Sequence, residues 1–402
     1  MRLIRLLAAA CVPAILTACA LAPFAPPTPA PAAAPVATAA PAGAKDRAVL
    51  APPAPPEDQI NDGPHVKDLP GGAGREALWI CNNVMHRVQL AASATRVAPR
   101  CGYPNAIVLR EDSPVLPAPV TFTAKRLVVF SDVHGQFDLL VRLLQANKVI
   151  DAHLNWSFGD GHMVVIGDHF DRGPRVTEVL WLLHQLEPQA RAAGGMLHAL
   201  VGNHETMVLY DDLRYVHPKY AAIARLHGAP QPAQFGADSV LGRWLRVKPV
   251  VIQVNDMLFV HGGFGPDFMA LNLSLTETNE HFRRSIGQPR ATVRADALLA
   301  KLYGAQGPVW HRGYFTEPRM SGADIDAVLA RHGVKRIVVG HTPMRGVFSH
   351  HGGRVLSVDS DMQKGRSGEL LFWDAGMLTR GTLAGERLPL PDYTPARVPD
   401  NN

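Results

Sequence analysis

Two stretches decide how this chain reads: Arg126-Leu-Val-Val-Phe-Ser-Asp-Val-His-Gly135 and Met163-Val-Val-Ile-Gly-Asp-His-Phe-Asp-Arg-Gly173. Each is a short apolar run that stops abruptly at a loop of aspartate, histidine and glycine. Apolar runs of this length, without polar alternation, suit strands buried on both faces of a sheet. After the first, Phe137, Leu140, Val141 and Leu144 recur at helical spacing. After the second, residues 174–191 read as a helix opened by its proline. Further strands are expected at 196–201, 250–254, 258–260, 336–339, 355–358 and 370–373. This alternation predicts an α/β fold.

Three more loops follow predicted strands in the same way: Gly202-Asn-His-Glu205, His261-Gly-Gly263 and Gly340-His-Thr342. In α/β sheets, ligands gather at the carboxyl ends of strands, and all five loops belong there. Together they supply aspartate and asparagine oxygens and histidine nitrogens, donors suited to Mn, Fe or Zn. Two such cations about 3.5–4 Å apart, sharing one carboxylate, can clamp the attacking and leaving oxygens of a phosphoryl group. Asp168 is the expected bridge, since it follows a strand and precedes a sharp turn.

In order and spacing the five loops resemble the calcineurin-like metallophosphoesterases. Within them the chain is most similar to the Shewanella-like, bacterial-type protein phosphatases of the phosphoprotein phosphatase branch. The resemblance implies an α/β sandwich of two mixed β-sheets flanked by helices, with a helical insertion near the active site. It implies that Asp132, His134 and Asp168 hold one metal, and that Asp168, Asn203, His261 and His341 hold the other. His204 would be the general acid, oriented by Asp171, and metal-bound hydroxide would be the nucleophile. Arg172 and Asn203 would bind the phosphate, joined by Arg312 of Trp310-His-Arg-Gly313. The implied activity is that of a metal-dependent phosphomonoesterase acting on a phosphorylated protein. Alternatives are a hydrolase of dinucleoside polyphosphates or other small phosphate esters and, from another class, a non-catalytic envelope-binding lipoprotein. Ser131 stands where the family has glycine, with little effect expected. Asp171 stands where purple acid phosphatases place a ligating tyrosine, which excludes that site.

Outward from these loops, the chain begins with Arg2, Arg5 and an apolar run over 6–16, then Leu16-Thr-Ala-Cys19. Residues 1–18 read as a signal peptide. The cysteine resembles a lipobox, with Cys19 lipidated, an exported bacterial lipoprotein and an outer-membrane address facing the periplasm; the alternative is an ordinary signal cut elsewhere. Residues 19–64 are an Ala/Pro-rich tether, and 65–120 are a small N-terminal lobe. There Cys81 and Cys101 are an even pair for an oxidising compartment, expected as a disulfide; two buried thiols are the alternative. The catalytic domain is placed at 121–385 and a tail at 386–402. An insertion over 209–247 is expected to form a lid over the metals, or else a solvated helical hairpin. His162, His169 and His311 flank the loops as candidate supports for the ligands. The net charge of +5 suits an anionic substrate or a membrane surface. No Lys/Arg run suggests nucleic acid.

Overall fold

The computed structural model describes residues 59–110 and 120–394. Cys19, the signal segment and most of the tether lie outside the described residues. The first element is the strand β1 (Asp62–Asp68), so regular structure starts three residues inside the stretch assigned to the tether. It forms a three-stranded antiparallel sheet with β2 (Arg75–Cys81) and β3 (Val84–Leu90). A small ribbon of β4 (Arg96–Val97) and β5 (Ile107–Val108) completes the lobe. Cys81 and Cys101 are joined by a disulfide. Closing a loop of this size stabilises a fold by about 3 kcal/mol in the chain-entropy account.

Two six-stranded sheets follow. Their strands are β6 (Thr121–Phe122), β7 (Arg126–Phe130), β8 (His162–Val165), β9 (Met196–Ala199), β10 (Val251–Val254) and β11 (Met257–Val260). The chain continues through β12 (Arg336–Val339), β13 (Phe348–His350), β14 (Val355–Ser357), β15 (Leu370–Asp374), β16 (Met377–Gly381) and β17 (Arg387–Pro389). One sheet runs β17-β16-β15-β7-β8-β9, the other β13-β14-β12-β11-β10-β6. Both are mixed. β7, β8 and β9 are parallel while β15 is antiparallel to β7; β11, β12 and β14 are parallel while β10 is antiparallel to β11. β17 lies in the stretch assigned to the tail, because its register with β16 completes that sheet.

The apolar runs behave as buried strands should. Leu127 and Val129 of β7 pack with Val164, Ile252, Phe259 and Val338 in a core between the sheets. Val128 and Phe130 turn the other way, into the core beneath the helices. Those helices include α1 (Phe137–Ala146) and α2 (Val176–Ala192). Every residue of α2 from Val176 to Glu187 is buried, because the helix has the sheet on one side and the lobe on the other. Trp181 donates to the Pro64 carbonyl at 2.8 Å, and Gln185 exchanges hydrogen bonds with the Val108 backbone. α2 starts two residues later than its proline suggested. The carbonyl of Pro174 is instead used by Lys219 and Tyr220.

After α3 (Asn203–Leu209) the insertion holds α4 (Pro218–His227), α5 (Gln231–Gln234) and α6 (Val240–Arg246). Most of it covers the lobe and not the strand ends. Asp68 donates its N–H to the Asp238 carbonyl at 2.9 Å, and Arg243 pairs with Asp68 at 2.6 Å.

Glu187, near the end of α2, ties these parts together. Its carboxylate is 3.0 Å from Lys248 Nζ and 2.8 Å from Arg110 of the lobe, and it accepts the indole N–H of Trp244 at 2.7 Å. Burial alone would raise its pKa, but Lys248 and Arg110 outweigh burial and hold it at about 2, below the ordinary 4.5. A depressed carboxylate stabilises above its unfolded pKa and ceases to as pH falls through the folded value. Glu187 therefore contributes about 3 kcal/mol at neutral pH. Glu187→Gln is expected to flatten the acid limb of the stability–pH curve between about pH 4.5 and 2. Urea melts across that range check it, and a parallel loss in both proteins would remove Glu187 from this role.

Candidate metal centre

All five loops emerge at the carboxyl ends of strands, as the sequence pattern indicated: after β7, β8 and β9 of one sheet, and after β11 and β12 of the other. Backbone bonds knit them together. Asp132 donates to the Gly167 carbonyl at 3.2 Å, His134 to that of Asp168 at 2.9 Å, and Gly340 to that of His261 at 2.9 Å. The packing leaves no room at two glycines. A Cβ on Gly202 would meet Asp168 Oδ1 at 2.3 Å, and one on Gly340 would meet Ser131 Oγ at 2.1 Å. Asp132, His134, Asp168, Asp171, Arg172 and His341 all have φ between 47° and 69°. Aspartate and histidine visit this left-handed region more readily than most residues, yet each instance costs roughly 1 kcal/mol or more.

The side chains converge on Asp168. Its Oδ2 lies 3.6 Å from His134 Nε2, 3.3 Å from His261 Nε2 and 3.8 Å from His204 Nε2. One group of potential ligands is His134, Asp168 and His204, and a second is Asp168, His261 and His341, so one carboxylate belongs to both. Asp132 Oδ1 reaches His134 Nε2 at 3.8 Å, while its Oδ2 accepts the His341 N–H at 2.9 Å. Ser131 Oγ is 2.5 Å from that same oxygen. The serine thus holds Asp132 in place, a contact its small size did not suggest.

The donor set fits a cation. His134 Nδ1 donates to the Phe170 carbonyl at 2.7 Å and His261 Nδ1 to that of Ile166 at 2.6 Å, which turns each Nε2 lone pair inward. His261 Nε2 then lies 2.9 Å from Asn203 Oδ1, 3.2 Å from His341 Nδ1 and 3.3 Å from Asp168 Oδ2. Several lone pairs this close repel unless positive charge lies between them. The pull for such charge appears on His261 itself. Burial would lower its pKa, yet Asp168 and Asp132 overcome burial and push it up to about 10. The Asn203 amide nitrogen rests 3.9 Å from Met207 sulfur, so its oxygen is the atom turned to the cluster.

His204 points Nε2 into this space, and its Nδ1 lies 2.5 Å from Asp171 Oδ2. Burial opposes a charged imidazole, but Asp168 and Asp171 together raise its pKa above the ordinary value. Arg172 is exposed at the rim, its guanidinium 5.1 Å from the Tyr215 ring centre. Arg312, half-buried, donates to the His341 carbonyl at 2.5 Å. Of the expected lid, Tyr215 is the part that arrives: its ring is 5.3 Å from that of His204.

The flanking histidines divide. His169 is 3.1 Å from Glu205, while His162 faces His198 and His311 faces Met320 sulfur, away from the cluster. Two acids were missed. Glu205 was quoted within its loop without a role, yet its carboxylate accepts the N–H groups of Asp168, His169 and Gly202 at 2.6–2.9 Å. Asp359 is almost wholly buried, with Oδ1 accepting the Asp361 N–H and Oδ2 unpaired among the described residues. Burial first, and then Asp132, hold its pKa well above the ordinary range. It follows β14, so the strand-end rule that located the other loops would have found it.

The calcineurin-like phosphoesterase family profile matches residues 125–345. Shewanella-like protein phosphatase 1 of Plasmodium berghei is 26% identical over 252 residues, covering 59% of this chain and 67% of that protein. Shewanella-like protein phosphatase 2 of Arabidopsis thaliana is 26% identical over 287 residues, covering 60% and 72%. Among solved structures, the cold-active protein-tyrosine phosphatase of a psychrophilic Shewanella species is 41% identical, covers 82% of this chain and 99% of that one, and superposes with a TM-score of 0.78. The matched span contains every residue that converges on Asp168, and the chain belongs to the calcineurin-like phosphoesterases, a family of phosphoester hydrolases to which its Shewanella-like relatives also point.

Proposed function

We propose that this protein is a phosphomonoesterase with a binuclear divalent-metal centre, acting on phosphoproteins with phosphotyrosine as the favoured residue. The observation that carries the proposal is the single oxygen, Asp168 Oδ2, within 3.3–3.8 Å of three imidazole nitrogens from three different loops. Asp132, His134 and Asp168 would hold one cation, and Asp168, Asn203, His261 and His341 the other. Nitrogen and oxygen donors of this kind suit Mn, Fe or Zn. When bound, the pair supplies Lewis acidity to the phosphoryl oxygens and lowers the pKa of the attacking water.

The chain's own residues do the rest. Arg172 and Arg312 bind phosphoryl oxygens with planar guanidinium forks. His204 holds a proton on Nε2 and delivers it to the departing oxygen. Asp171 fixes the ring by accepting from Nδ1, and Asp168 together with Asp171 favours its charged form. An aromatic leaving group is favoured by Tyr215, which is 42% exposed beside both His204 and Arg172. The Shewanella neighbour named as a protein-tyrosine phosphatase supports the same substrate. We place the enzyme outside the cytoplasm, anchored through lipid on Cys19 near the outer membrane. The disulfide supports an oxidising compartment.

Asp168→Asn is expected to abolish turnover of p-nitrophenyl phosphate and to empty the protein of bound metal in elemental analysis; full activity without metal would overturn the proposed centre. His204→Asn should retain the metals and slow turnover about 100-fold, and an unchanged kcat would remove it as the acid. Tyr215→Ala should raise KM for a phosphotyrosine peptide roughly three- to tenfold while leaving that for a phosphoserine peptide in place. Faster hydrolysis of a dinucleoside tetraphosphate than of either peptide would favour the small-phosphate alternative.

A further inference from the structure

The loop that carries Asp171 and Arg172 is held from outside the catalytic sheets. Both residues sit consecutively in the left-handed region, at φ 69° and 63°. Such a pair persists only where its surroundings over-determine it. Four hydrogen bonds from the insertion help to do so, beside the one that Arg175 N–H gives the Gly135 carbonyl at 3.0 Å. Arg172 donates its N–H to the Tyr215 carbonyl at 2.9 Å. The Pro174 carbonyl accepts from Lys219 Nζ at 2.8 Å and from the Tyr220 hydroxyl at 3.3 Å. Val176 donates its N–H to that hydroxyl at 2.6 Å.

Lys219 is itself fixed by the lobe. Its Nζ lies 2.9 Å from Asp62 Oδ1, with Glu178 4.0 Å away. Asp62, at the start of β1, is completely buried. Its other oxygen takes the His65 ring at 2.7 Å and the Thr177 hydroxyl at 3.1 Å. Burial alone would raise the Asp62 pKa, but Lys219 and His65 outweigh it and keep the carboxylate ionised. The disulfide-bonded segment backs this acid: Tyr103 donates its N–H to the Gly63 carbonyl at 3.0 Å, next to Asp62. Asp62 and the cysteine pair both lie before the span 125–345 that the family profile matches.

We propose that the N-terminal lobe is a working part of the hydrolytic site, with Asp62 acting through Lys219 as the positioning residue for the Asp171–Arg172 phosphate loop. The proposal rests on the reading of Arg172 as a phosphate ligand. Its geometric core does not: Lys219, itself held by Asp62, fixes the Pro174 carbonyl in that loop whatever the substrate.

The test compares Asp62→Asn, Lys219→Met and Lys219→Arg in the full metal-loaded protein, with Glu187→Gln as the comparator. Glu187 belongs to a buried ion-pair network at the far end of α2, without contact to the loop. Asp62→Asn and Lys219→Met are expected to weaken inhibition by inorganic phosphate about tenfold, the effect of losing a charged hydrogen bond. Metal content should stay unchanged, and deuterium uptake over 171–176 should quicken. Lys219→Arg should restore most of both properties, and it serves as the folded probe if the other two variants fail to accumulate. Glu187→Gln should lower the melting temperature yet leave phosphate inhibition and exchange at 171–176 as in the parent. If Asp62→Asn merely lowers the melting temperature, as Glu187→Gln does, the lobe is only structural and the proposal fails. Quickened exchange without any change in phosphate inhibition would keep the clamp and remove Arg172 from phosphate binding. Normal exchange with normal inhibition would remove the clamp and keep the enzyme.

Discussion

The site depends on where one buried carboxylate sends its lone pairs. Glu205 accepts N–H groups from Asp168 and His169 in one loop and from Gly202 at the start of α3. Burial pushes its pKa up, but the His169 ring and the surrounding donors outweigh that and leave it below the ordinary value. Because Glu205 satisfies the backbone of the Asp168 loop, the Asp168 side chain is free to face the imidazoles. Its Oδ1 takes the His204 N–H at 3.0 Å, which locks α3 against the same loop. Buried donors left without such an acceptor would cost about 1–3 kcal/mol each. Glu205 therefore couples the strand ends after β8 and β9 into one rigid piece, and Asp168 and Asn203 belong to it.

The second constraint is strain held by cross-loop bonding. Asp132, His134, Asp168, Asp171, Arg172 and His341 all lie in a backbone region that costs energy for a residue with a Cβ. Each of the proposed ligands among them is tied into a neighbouring loop: Asp132 to Gly167, His134 to Asp168, and His341 through its N–H to Asp132. The last of these ties runs from one sheet to the other, since Asp132 follows β7 and His341 follows β12. The face-to-face packing of the two sheets is thus what turns flexible loop residues into a fixed donor set. The loop at Asp171–Arg172 takes further support from the insertion and, by our proposal, from the lobe.

Much of this was legible because central parallel strands write themselves plainly. β7, β8, β9, β11 and β12 are short apolar runs, and each ends at a glycine or histidine loop that carries a donor. The two-residue strands β4 and β6 carry no such signal, as pairing and not composition defines them. The first three residues of β1, Asp62 to Pro64, fall in the Ala/Pro-rich stretch that reads as tether; their strand character comes from the partner β2. The insertion was correctly read as short helices. Its role as a lid shrinks to Tyr215, since whether a helix covers a site or a lobe depends on tertiary packing. Asp359 stands at a strand end like the other donors, whereas the role of Glu205 shows only in the fold, where its carboxylate turns back onto the N–H groups of Gly202 and the Asp168 loop.

Charge then sets the order in which the site can be filled. Asp132 and Asp168 face the same small space, and their repulsion helps keep Asp359 from ionising. A phosphate dianion entering that space meets two carboxylates, and the field of one exposed and one half-buried arginine is not enough to cancel both at short range. Divalent charge at the imidazole cluster reverses the sign. In the proposed reading phosphate affinity and metal affinity would therefore be linked, each raising the other by the same factor. Arg172 and Arg312 would then select the geometry of the bound anion, while the attraction that draws it in would come from the cations that Asp168 is proposed to hold.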